Sequence, residues 1–309
     1  MLKKTIYLTP PQSLLAGFVV MILTGALLLH LPIASKSGES VGFLDALFTA
    51  ASANCVTGLV VVNTAERWTW FGKIVILALI QFGALGFISV ITIAMLLTHR
   101  QITLRNRLVI QASFNQDSIG GMVRLVKNVI LITTVFETAG ALLLAVSFYA
   151  GSTMTPWEAA YQGIFHSISA FCNAGFDNIG ADGLLPFQSN VSVNLTIMVL
   201  IVAGGVGFTV WMEIGRFFKN EGKRIPRSRI AHLSLHCKIV SAVTGILILF
   251  GAVMFTLLEW RNPETLGDLP VWQKFMAALF QSVTLRTAGF NTIRQSGLSD
   301  ASKFVSCIL

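Results

Sequence analysis

Three short segments of the chain place a glycine in a similar setting. They are CVTGL at residues 55–59, CNAGF at 172–176 and RTAGF at 286–290, with the glycines at positions 58, 175 and 289. The glycines lie 117 and then 114 residues apart (175 − 58 and 289 − 175), and a phenylalanine precedes them by ten, ten and nine positions. Repetition at a nearly fixed period predicts three copies of one structural unit, called here the first, second and third repeats.

The residue types around these glycines favour chemistry by the backbone. Apart from Arg286, the polar side chains nearby are uncharged amides and hydroxyls, at Asn54, Thr57, Asn173 and Thr287. Glycine permits backbone angles that turn carbonyl groups inward, and a ring of carbonyl oxygens can replace the water shell of a dehydrated cation. One such glycine is equally compatible with the capped end of an ordinary helix. Three glycines in matching positions favour a carbonyl-lined filter.

The composition indicates that these segments belong to a membrane protein. Of the 309 residues, 54% are hydrophobic and 12% are charged, whereas soluble domains carry roughly 25% charged residues. The mean hydropathy is +0.73, and apolar stretches of about 20 residues predict membrane-spanning helices. The stretch Leu14–Leu31 is too long for the core of a signal peptide, so we expect it to remain as the first span.

Basic residues are concentrated in two connections between spans. His99–Lys127 contains five basic residues and one acidic residue, and Arg216–Lys238 contains seven basic residues and one acidic residue. This asymmetry predicts that the N-terminus and both basic segments face the cytoplasm, in a protein that crosses the plasma (inner) membrane several times. It also accounts for the net charge of +8 without a nucleic-acid partner.

Each repeat is expected to contain a span, a short re-entrant helix, a glycine loop and a second span. The short helices are Val41–Ala53 and the segments that follow Pro156 and Pro270. At about 1.5 Å per residue they are shorter than the roughly 30 Å hydrocarbon core of a bilayer. The remaining predicted spans are Phe71–Leu97, Val123–Tyr149, Val191–Phe218, Ile239–Trp260 and an incomplete one at SKFVSCIL.

The predicted fold class is an all-α polytopic membrane protein built from repeats of the same orientation. Such repeats are related by an axis along the membrane normal, so the glycine loops are expected to face a central pore. The predicted division is a first repeat at residues 1–98, a basic linker at 99–122, a second repeat at 123–218, a basic loop at 219–238 and an incomplete third repeat at 239–309.

A second glycine cluster follows two of the loops. QFGALGF contains Gly83 and Gly86, and VAGGVGF contains Gly204, Gly205 and Gly207. Small residues at such spacings let helices approach closely in lipid, so tight packing is favoured over a gating hinge.

Cys55, Cys172 and Arg286 each stand three positions before a loop glycine. The two cysteines are interpreted as small residues that support the filter rather than as a thiol metal site. Arg286 either repels cations locally or braces its loop, and both interpretations stay open. The sequence contains no nucleophile–base pair, phosphate-binding loop or HExxH motif, so no enzymatic activity is expected.

The segments SANCVTGL, HSISAFCNAGF and FQSVTLRTAGFN, together with DALFTAASA, QFGALGF and GGVGFTV, resemble the Trk/Ktr/HKT superfamily of potassium transporters over essentially the whole chain. The bacterial Ktr-type membrane subunit is the most similar member type. The resemblance implies four span–loop–span repeats around a pseudo-fourfold pore, of which about three are present here. It implies K⁺ binding by the backbone carbonyls of Val56, Thr57, Gly58, Asn173, Ala174, Gly175, Thr287, Ala288 and Gly289.

The resemblance also implies how the protein is assembled and gated. Ktr-type subunits form homodimers on a cytoplasmic ring of nucleotide-binding (RCK-type) regulatory subunits. K⁺ is then the transported ion, Na⁺ is considered as a modulator, and no covalent cofactor is expected. Glycine rather than serine at Gly58 resembles the potassium-permeable members.

Two features depart from the family pattern. Cys172 stands where the family usually has asparagine, and the third repeat stops within its last span with no fourth repeat after it. We therefore expect the chain to be a partial form of a longer protein. The alternatives are a secondary carrier of another solute, built with broken helices, and a non-conducting fragment or scaffold.

Overall fold

The computed structural model describes residues 9–86, 122–180, 182–219 and 233–309. Within these ranges the chain is helical, and the single β-type contact is an isolated bridge between Ser35 and Trp68. The predicted all-α fold class is therefore confirmed. Most of the two basic segments, residues 99–121 and 220–232, lies outside the described residues.

The first repeat contains helices α1 (Pro10–His30), α2 (Phe43–Asn54), α3 (Thr64–Arg67) and α4 (Trp70–Leu85). α1 begins at two prolines, whose fixed φ suits a first helical turn. The side chain of Thr69 caps α4 by accepting a hydrogen bond from the N–H of Gly72 (3.4 Å).

The second repeat contains helices α5 (Met122–Gly151), α6 (Pro156–Phe171), α7 (Val191–Gly205) and α8 (Phe208–Lys219). A capping box starts α6. The hydroxyl of Thr155 accepts from the N–H of Glu158 (3.3 Å), and the carboxylate of Glu158 accepts from the N–H of Thr155 (2.9 Å). The predicted helix start at Pro156 is confirmed.

The third repeat contains helices α9 (Leu235–Glu259), α10 (Val271–Thr284) and α11 (Asp300–Ile308). α9 and α11 are capped by Ser234 and Ser299, whose hydroxyls accept from backbone N–H groups three residues later. α10 follows Pro270 as predicted, and α11 occupies the predicted opening of the last span.

Helix lengths separate the spans from the short helices. The apolar stretches Pro11–His30, Val123–Gly151 and Leu235–Glu259 are each long enough to cross a membrane. α2, α6 and α10 have 12, 16 and 14 residues, which corresponds to about 18–24 Å at 1.5 Å per residue and is less than the roughly 30 Å hydrocarbon core. The chain is thus a multi-pass membrane protein with a short helix in each repeat.

The predicted span at Val191–Phe218 corresponds to two helices and not to one straight helix. The helix breaks between Gly205 and Phe208, where α7 and α8 meet at an angle of 94°. Gly207 has φ +90°, a value that L side chains rarely adopt and that cannot continue a right-handed helix. The glycine cluster therefore ends α7 within the predicted span.

The described residues form two compact units. The first unit takes in residues 9–56, 60–62, 67–86 and 122–131, and the second takes in 57–59, 63–66 and 132–309 apart from the gaps. In the first unit α1, α2 and α4 pack on one another around buried alanine, leucine and isoleucine side chains. Gly25 permits close packing there, because a methyl group at that position would lie 2.6 Å from a methyl carbon of Leu79.

The core of the second unit lies behind two of the glycine loops. Phe148, Phe171, Ile197 and Phe280 belong to one buried cluster that also includes Phe290, the residue after Gly289. Aromatic rings bury large apolar areas, so this cluster gives the second and third loops a rigid support.

Candidate functional site

Each short helix ends immediately before a glycine loop. α2 ends at Asn54, α6 at Phe171 and α10 at Thr284, and in each case the glycine follows four or five residues later. The C-terminal end of a helix carries the negative end of its dipole, about half an elementary charge. Three such ends therefore lie next to the three loops.

The three loops share one backbone conformation. Gly58, Gly175 and Gly289 have φ values of 74°, 67° and 84°. Among the described residues, the non-glycine residues with positive φ are those two positions before these glycines: Val56 (57°), Asn173 (57°) and Thr287 (70°). This conformation costs a non-glycine residue roughly 1–2 kcal/mol, and such strain is concentrated at functional sites.

The sign of φ alternates along each loop, because Thr57, Ala174 and Ala288 lie between two residues with positive φ and do not share it. A reversal of φ between neighbouring residues turns their peptide planes so that successive carbonyl groups can face the same side. The conformation is therefore suited to presenting a row of carbonyl oxygens, which is the chemistry that the sequence predicted for these residues.

Residues of the three loops meet within the second compact unit. A methyl group on Gly58 would lie 2.5 Å from the carbonyl oxygen of Ala174 and 3.4 Å from the Cα of Gly175. A methyl group on Gly175 would overlap the carbonyl oxygen of Ala288, and one on Gly289 would lie 3.5 Å from the Cα of Gly175. The structure thus brings the three predicted glycines together, with Gly175 close to both Gly58 and Gly289.

Hydrogen bonds hold two of the loops from behind. The backbone carbonyl of Ser169 accepts from the N–H of Ala174 (2.7 Å), and the hydroxyl of Ser169 donates to the carbonyl of Phe176 (2.8 Å). In the third repeat Thr284 makes the same two contacts, with the N–H of Ala288 (2.9 Å) and the carbonyl of Phe290 (2.7 Å). One helical residue therefore contacts its loop on both sides of the glycine.

The second glycine cluster packs against the ends of the short helices. A methyl group on Gly83 would overlap the carbonyl oxygen of Asn54, and one on Gly204 would overlap the carbonyl oxygen of Phe171. Asn54 and Phe171 are the last residues of α2 and α6, so the two contacts are equivalent in the two repeats. The predicted packing role is confirmed for Gly83 and Gly204, whereas Gly86 and Gly207, which have positive φ and nothing within 4 Å of an added methyl group, end α4 and α7 instead.

The Asn173 side chain contacts the end of α7. With its amide nitrogen facing the carbonyls, it donates to Ile201 and Ala170 (3.2 Å each) and its oxygen accepts from the N–H of Gly205 (3.3 Å). Gly205 is the last residue of α7 before the 94° break. The second loop is thus attached to the broken helix.

The two cysteines have different surroundings. Cys55 is exposed, whereas the Sγ of Cys172 lies 3.8 Å from Oε1 of Glu137 on α5. No group of three or more histidine, cysteine or acidic side chains within the described ranges could hold a metal ion.

Arg286 links the third loop to α9. Its Nη2 donates to Oγ1 of Thr244 (3.1 Å). Arg286 also lines a cavity of about 300 Å³ together with Thr287, Gly205 and apolar residues. The hydrogen bond to Thr244 is consistent with a bracing role for Arg286. The position of Arg286 beside Thr287 in the cavity wall is consistent with an electrostatic effect on cations.

His166 lies on α6, inside the core. Its side chain is fully buried among the rings of Phe148, Phe165 and Phe290, and its Nδ1 lies 2.8 Å from the carbonyl of Gln162. Its Nε2 is 3.4 Å from the carboxylate of Asp177, two residues after Gly175. This pair connects α6 to the segment beyond the second loop.

Comparison with known proteins identifies the family. The family model described as "TrkH: Cation transport protein" matches residues 10–309. The chain belongs to the TrkH family. This membership agrees with the resemblance found in the loop motifs.

Two TrkH-family relatives are similar over nearly the whole chain. The potassium/sodium uptake protein NtpJ of Enterococcus hirae is 37% identical over 302 residues, covering 98% of this chain and 64% of the relative. The Ktr system potassium uptake protein B of Bacillus subtilis is 40% identical over 293 residues, covering 94% and 62%. The chain thus spans less than two thirds of the length of these relatives.

A solved structure supports the TrkH-family fold. The potassium transporter TrkH from Vibrio parahaemolyticus superimposes with a TM-score of 0.62 at 18% sequence identity, covering 94% of this chain and 53% of that one. At this level of identity the match concerns the fold alone.

Ser169 and Thr284 were not among the residues expected at the site. A hydroxyl residue precedes the glycines by six, six and five positions, at Ser52, Ser169 and Thr284. The shortening by one residue in the third repeat parallels the shift of the preceding phenylalanine from ten positions to nine. Alignment of the repeats with this shift would have indicated both residues.

Proposed function

We propose that this TrkH-family protein conducts K⁺ into the cell through a filter of backbone carbonyls. The observation that carries the proposal is the meeting of Gly58, Gly175 and Gly289, with the carbonyls of Ala174 and Ala288 against the glycines of neighbouring loops. The proposed K⁺-binding residues are Val56, Thr57, Gly58, Asn173, Ala174, Gly175, Thr287, Ala288 and Gly289. Cys55, Cys172 and Arg286 are proposed as supporting residues.

The electrostatics of the loops favour a cation. The loops offer carbonyl oxygens, and the negative ends of the dipoles of α2, α6 and α10 adjoin them. Carbonyl oxygens replace the hydration shell of a cation without requiring an acidic side chain. An anion at the same place would face these oxygens directly.

The names of two relatives support K⁺ as the transported ion. One is named a potassium uptake protein and the other a potassium/sodium uptake protein. We therefore propose K⁺ as the substrate, Na⁺ as a modulator and no covalent cofactor.

A regulatory partner is proposed on similar grounds. The name of the Bacillus subtilis relative refers to a Ktr system, which supports the presence of a partner protein. We propose that the partner is a nucleotide-binding (RCK-type) cytoplasmic ring, on which the membrane subunit sits as a homodimer. The charge asymmetry of residues 99–122 and 219–238 supports their contact with this ring and an N-terminus inside the plasma membrane.

The break between α7 and α8 favours a second candidate function. Discontinuous helices at membrane depth are typical of secondary carriers, whose substrate sites lie at such breaks. A carrier of another solute is therefore the alternative to a channel-like filter.

The test measures Rb⁺ and K⁺ uptake in a host that lacks its own potassium uptake, with the protein expressed from its complete gene. Gly58→Asp is compared with Gly38→Asp. Both glycines have φ +74°, but nothing lies within 4 Å of a methyl group on Gly38. We expect Gly58→Asp to reduce uptake by more than about tenfold, a loss of about 1.4 kcal/mol or more, and Gly38→Asp to retain most of it.

Three results would contradict the proposal. Selective Rb⁺ uptake that Gly58→Asp leaves unchanged would remove the filter assignment. Saturable uptake of a different solute without K⁺ flux would favour the carrier. Correct membrane insertion without any transport would favour a scaffold.

A further inference from the structure

The residues behind the glycine loops contact them in a way that ordinary helical hydrogen bonding does not explain. In a helix, a serine or threonine hydroxyl usually bonds to the carbonyl four residues earlier, as Thr256 does with Ala252 (2.7 Å). The hydroxyls of Ser169 and Thr284 instead donate forward, to carbonyls seven and six residues later at Phe176 and Phe290.

Both contacts are sealed from solvent. Ser169 and Phe176 are fully buried, and Thr284 and Phe290 are exposed by 2% and 1%. A buried carbonyl that loses its donor has no water to replace it, so each hydroxyl hydrogen bond strongly determines the orientation of its carbonyl.

The two hydrogen bonds of each residue constrain both sides of the glycine. The N–H before the glycine and the carbonyl after it are directed toward the helix by Ser169 and by Thr284. The carbonyl of Ala174, between these two anchored groups, lies against Gly58 instead. Anchoring the flanking groups outward therefore fixes where the intervening carbonyls face.

The arrangement is the same in two repeats that differ in detail. The hydroxyl residue is serine in one repeat and threonine in the other, and it precedes the glycine by six positions in the second repeat and by five in the third. Even so, both residues contact the positions directly before and directly after the glycine. The two repeats therefore share the pair of hydrogen bonds, although their sequence spacing differs.

We propose that Ser169 and Thr284 are positioning residues that set the ion selectivity of the pore, by holding the carbonyls of the second and third glycine loops at fixed distances from the bound ion. This inference rests on the proposed filter function. Loss of either hydroxyl frees one carbonyl beside the filter, so the loop can adjust to ions of other radii.

Two serines on the same helices serve as matched controls. Ser167 on α6 and Ser282 on α10 are also fully buried, and their hydroxyls donate to carbonyls of Glu137 (2.7 Å) and Ile248 (2.8 Å) on the neighbouring spans. Removing these hydroxyls costs a buried hydrogen bond of similar length without touching a glycine loop.

The experiment measures the ratio of K⁺ to Na⁺ uptake per molecule in the membrane, with the protein expressed from its complete gene. We expect Ser169→Ala and Thr284→Val to lower this ratio by about fivefold, the factor that corresponds to the net contribution of one hydrogen bond. Ser167→Ala and Ser282→Ala are expected to lower the amount of protein but to keep the ratio. The exchanges Ser169→Thr and Thr284→Ser retain the hydroxyl, so we expect them to keep the wild-type ratio of K⁺ to Na⁺ uptake.

The result separates this inference from the filter proposal. A selective wild type whose ratio changes equally in Ser169→Ala and Ser167→Ala would overturn the positioning role and leave the filter intact. The same holds if Ser169→Thr and Ser169→Ala give the same ratio. If Ser169→Ala yields too little protein to measure, the uptake ratios of Thr284→Val and Ser282→Ala are compared instead, and equal ratios would likewise overturn the positioning role. A wild type without K⁺ uptake contradicts the filter proposal itself.

Discussion

The carbonyl oxygen of Ala174 lies 2.5 Å from the position that a methyl group on Gly58 would occupy. That separation is well below van der Waals contact, and Gly58 also has φ +74°. Gly58 therefore meets two independent requirements, a left-handed backbone and an absent side chain. Gly38 has the same φ but open space around it. A comparison of substitutions at the two glycines therefore distinguishes the effect of backbone strain from the effect of the close contact.

Gly58→Ala is expected to abolish most transport, and Gly38→Ala is not. Both substitutions impose backbone strain of roughly 1–2 kcal/mol, but only Gly58→Ala also displaces the Ala174 carbonyl. We expect Rb⁺ uptake to fall by more than about tenfold in Gly58→Ala and by less than about twofold in Gly38→Ala. Equal uptake by the two variants, normalised to protein in the membrane, would show that the close contact has no functional consequence.

Gly175 and Gly289 are expected to differ in their tolerance of alanine. A methyl group on Gly175 would overlap the carbonyl oxygen of Ala288, whereas one on Gly289 would lie 3.5 Å from the nearest atom, the Cα of Gly175. We therefore expect Gly289→Ala to keep severalfold more Rb⁺ uptake than Gly175→Ala. The reverse order would mean that the third loop faces the ion more closely than the second.

The sequence predicted the short helices and their glycines because both follow from strong local rules. Pro156 and Pro270 indicate helix starts, and a period near 115 residues identifies Gly58, Gly175 and Gly289 as equivalent. The structure places α6 at Pro156–Phe171 and α10 at Val271–Thr284, within one residue of the predicted starts. The repeat period and the preference of proline for the first turn of a helix are therefore sufficient to predict where these helices begin and which glycines are equivalent.

Other features depend on contacts that the sequence does not contain. Gly204 and Gly207 look alike in the sequence, yet the first packs on a carbonyl and the second ends a helix with φ +90°. Hydropathy averages over both glycines, so it does not show the bend between the two helices of the predicted span. The burial of His166 is a further example, because the sequence does not show which aromatic rings surround this side chain.

Gly204→Ala is expected to destabilise the protein, in contrast to its neighbour Gly205→Ala. Both changes favour a helix by about 1 kcal/mol. A methyl group on Gly204 would overlap the carbonyl of Phe171, whereas one on Gly205 would lie 3.4 Å from the Asn173 amide. Thermal unfolding in detergent should show a clear loss of stability for Gly204→Ala and little change for Gly205→Ala. Similar midpoints for the two would mean that α7 can shift away from α6 at low cost.

Glu259 is expected to stabilise the third repeat through its carboxylate. Its side chain is fully buried and accepts hydrogen bonds from Asn262 (2.6 Å), Thr265 (2.6 Å) and the N–H and hydroxyl of Ser299 (3.0 and 2.7 Å). Glu259→Gln turns an amide N–H₂ toward donors, so we expect a loss of roughly 2–4 kcal/mol in unfolding free energy.

The control for that measurement is Glu264→Gln, at an exposed carboxylate in the same connection. Exposed substitutions usually change stability by less than about 0.5 kcal/mol. If both variants unfold at the same denaturant concentration, the buried hydrogen bonds of Glu259 do not determine the stability of this region.

Arg286 offers a way to separate a bracing hydrogen bond from an electrostatic effect on the ion. Thr244→Val removes the hydrogen bond to the guanidinium (3.1 Å) and keeps the charge, whereas Arg286→Gln removes the charge. A unit charge about 10 Å from a cation, at an effective dielectric constant of about 20–40, raises the energy of that cation by roughly 1–2 kcal/mol. Because Arg286 and Thr287 line the same cavity, we expect Arg286→Gln to lower the K⁺ concentration for half-maximal uptake severalfold and Thr244→Val to leave it nearly unchanged. Arg286→Lys keeps the charge and should behave like the wild type. A larger effect of Thr244→Val than of Arg286→Gln would instead assign Arg286 to bracing the third loop.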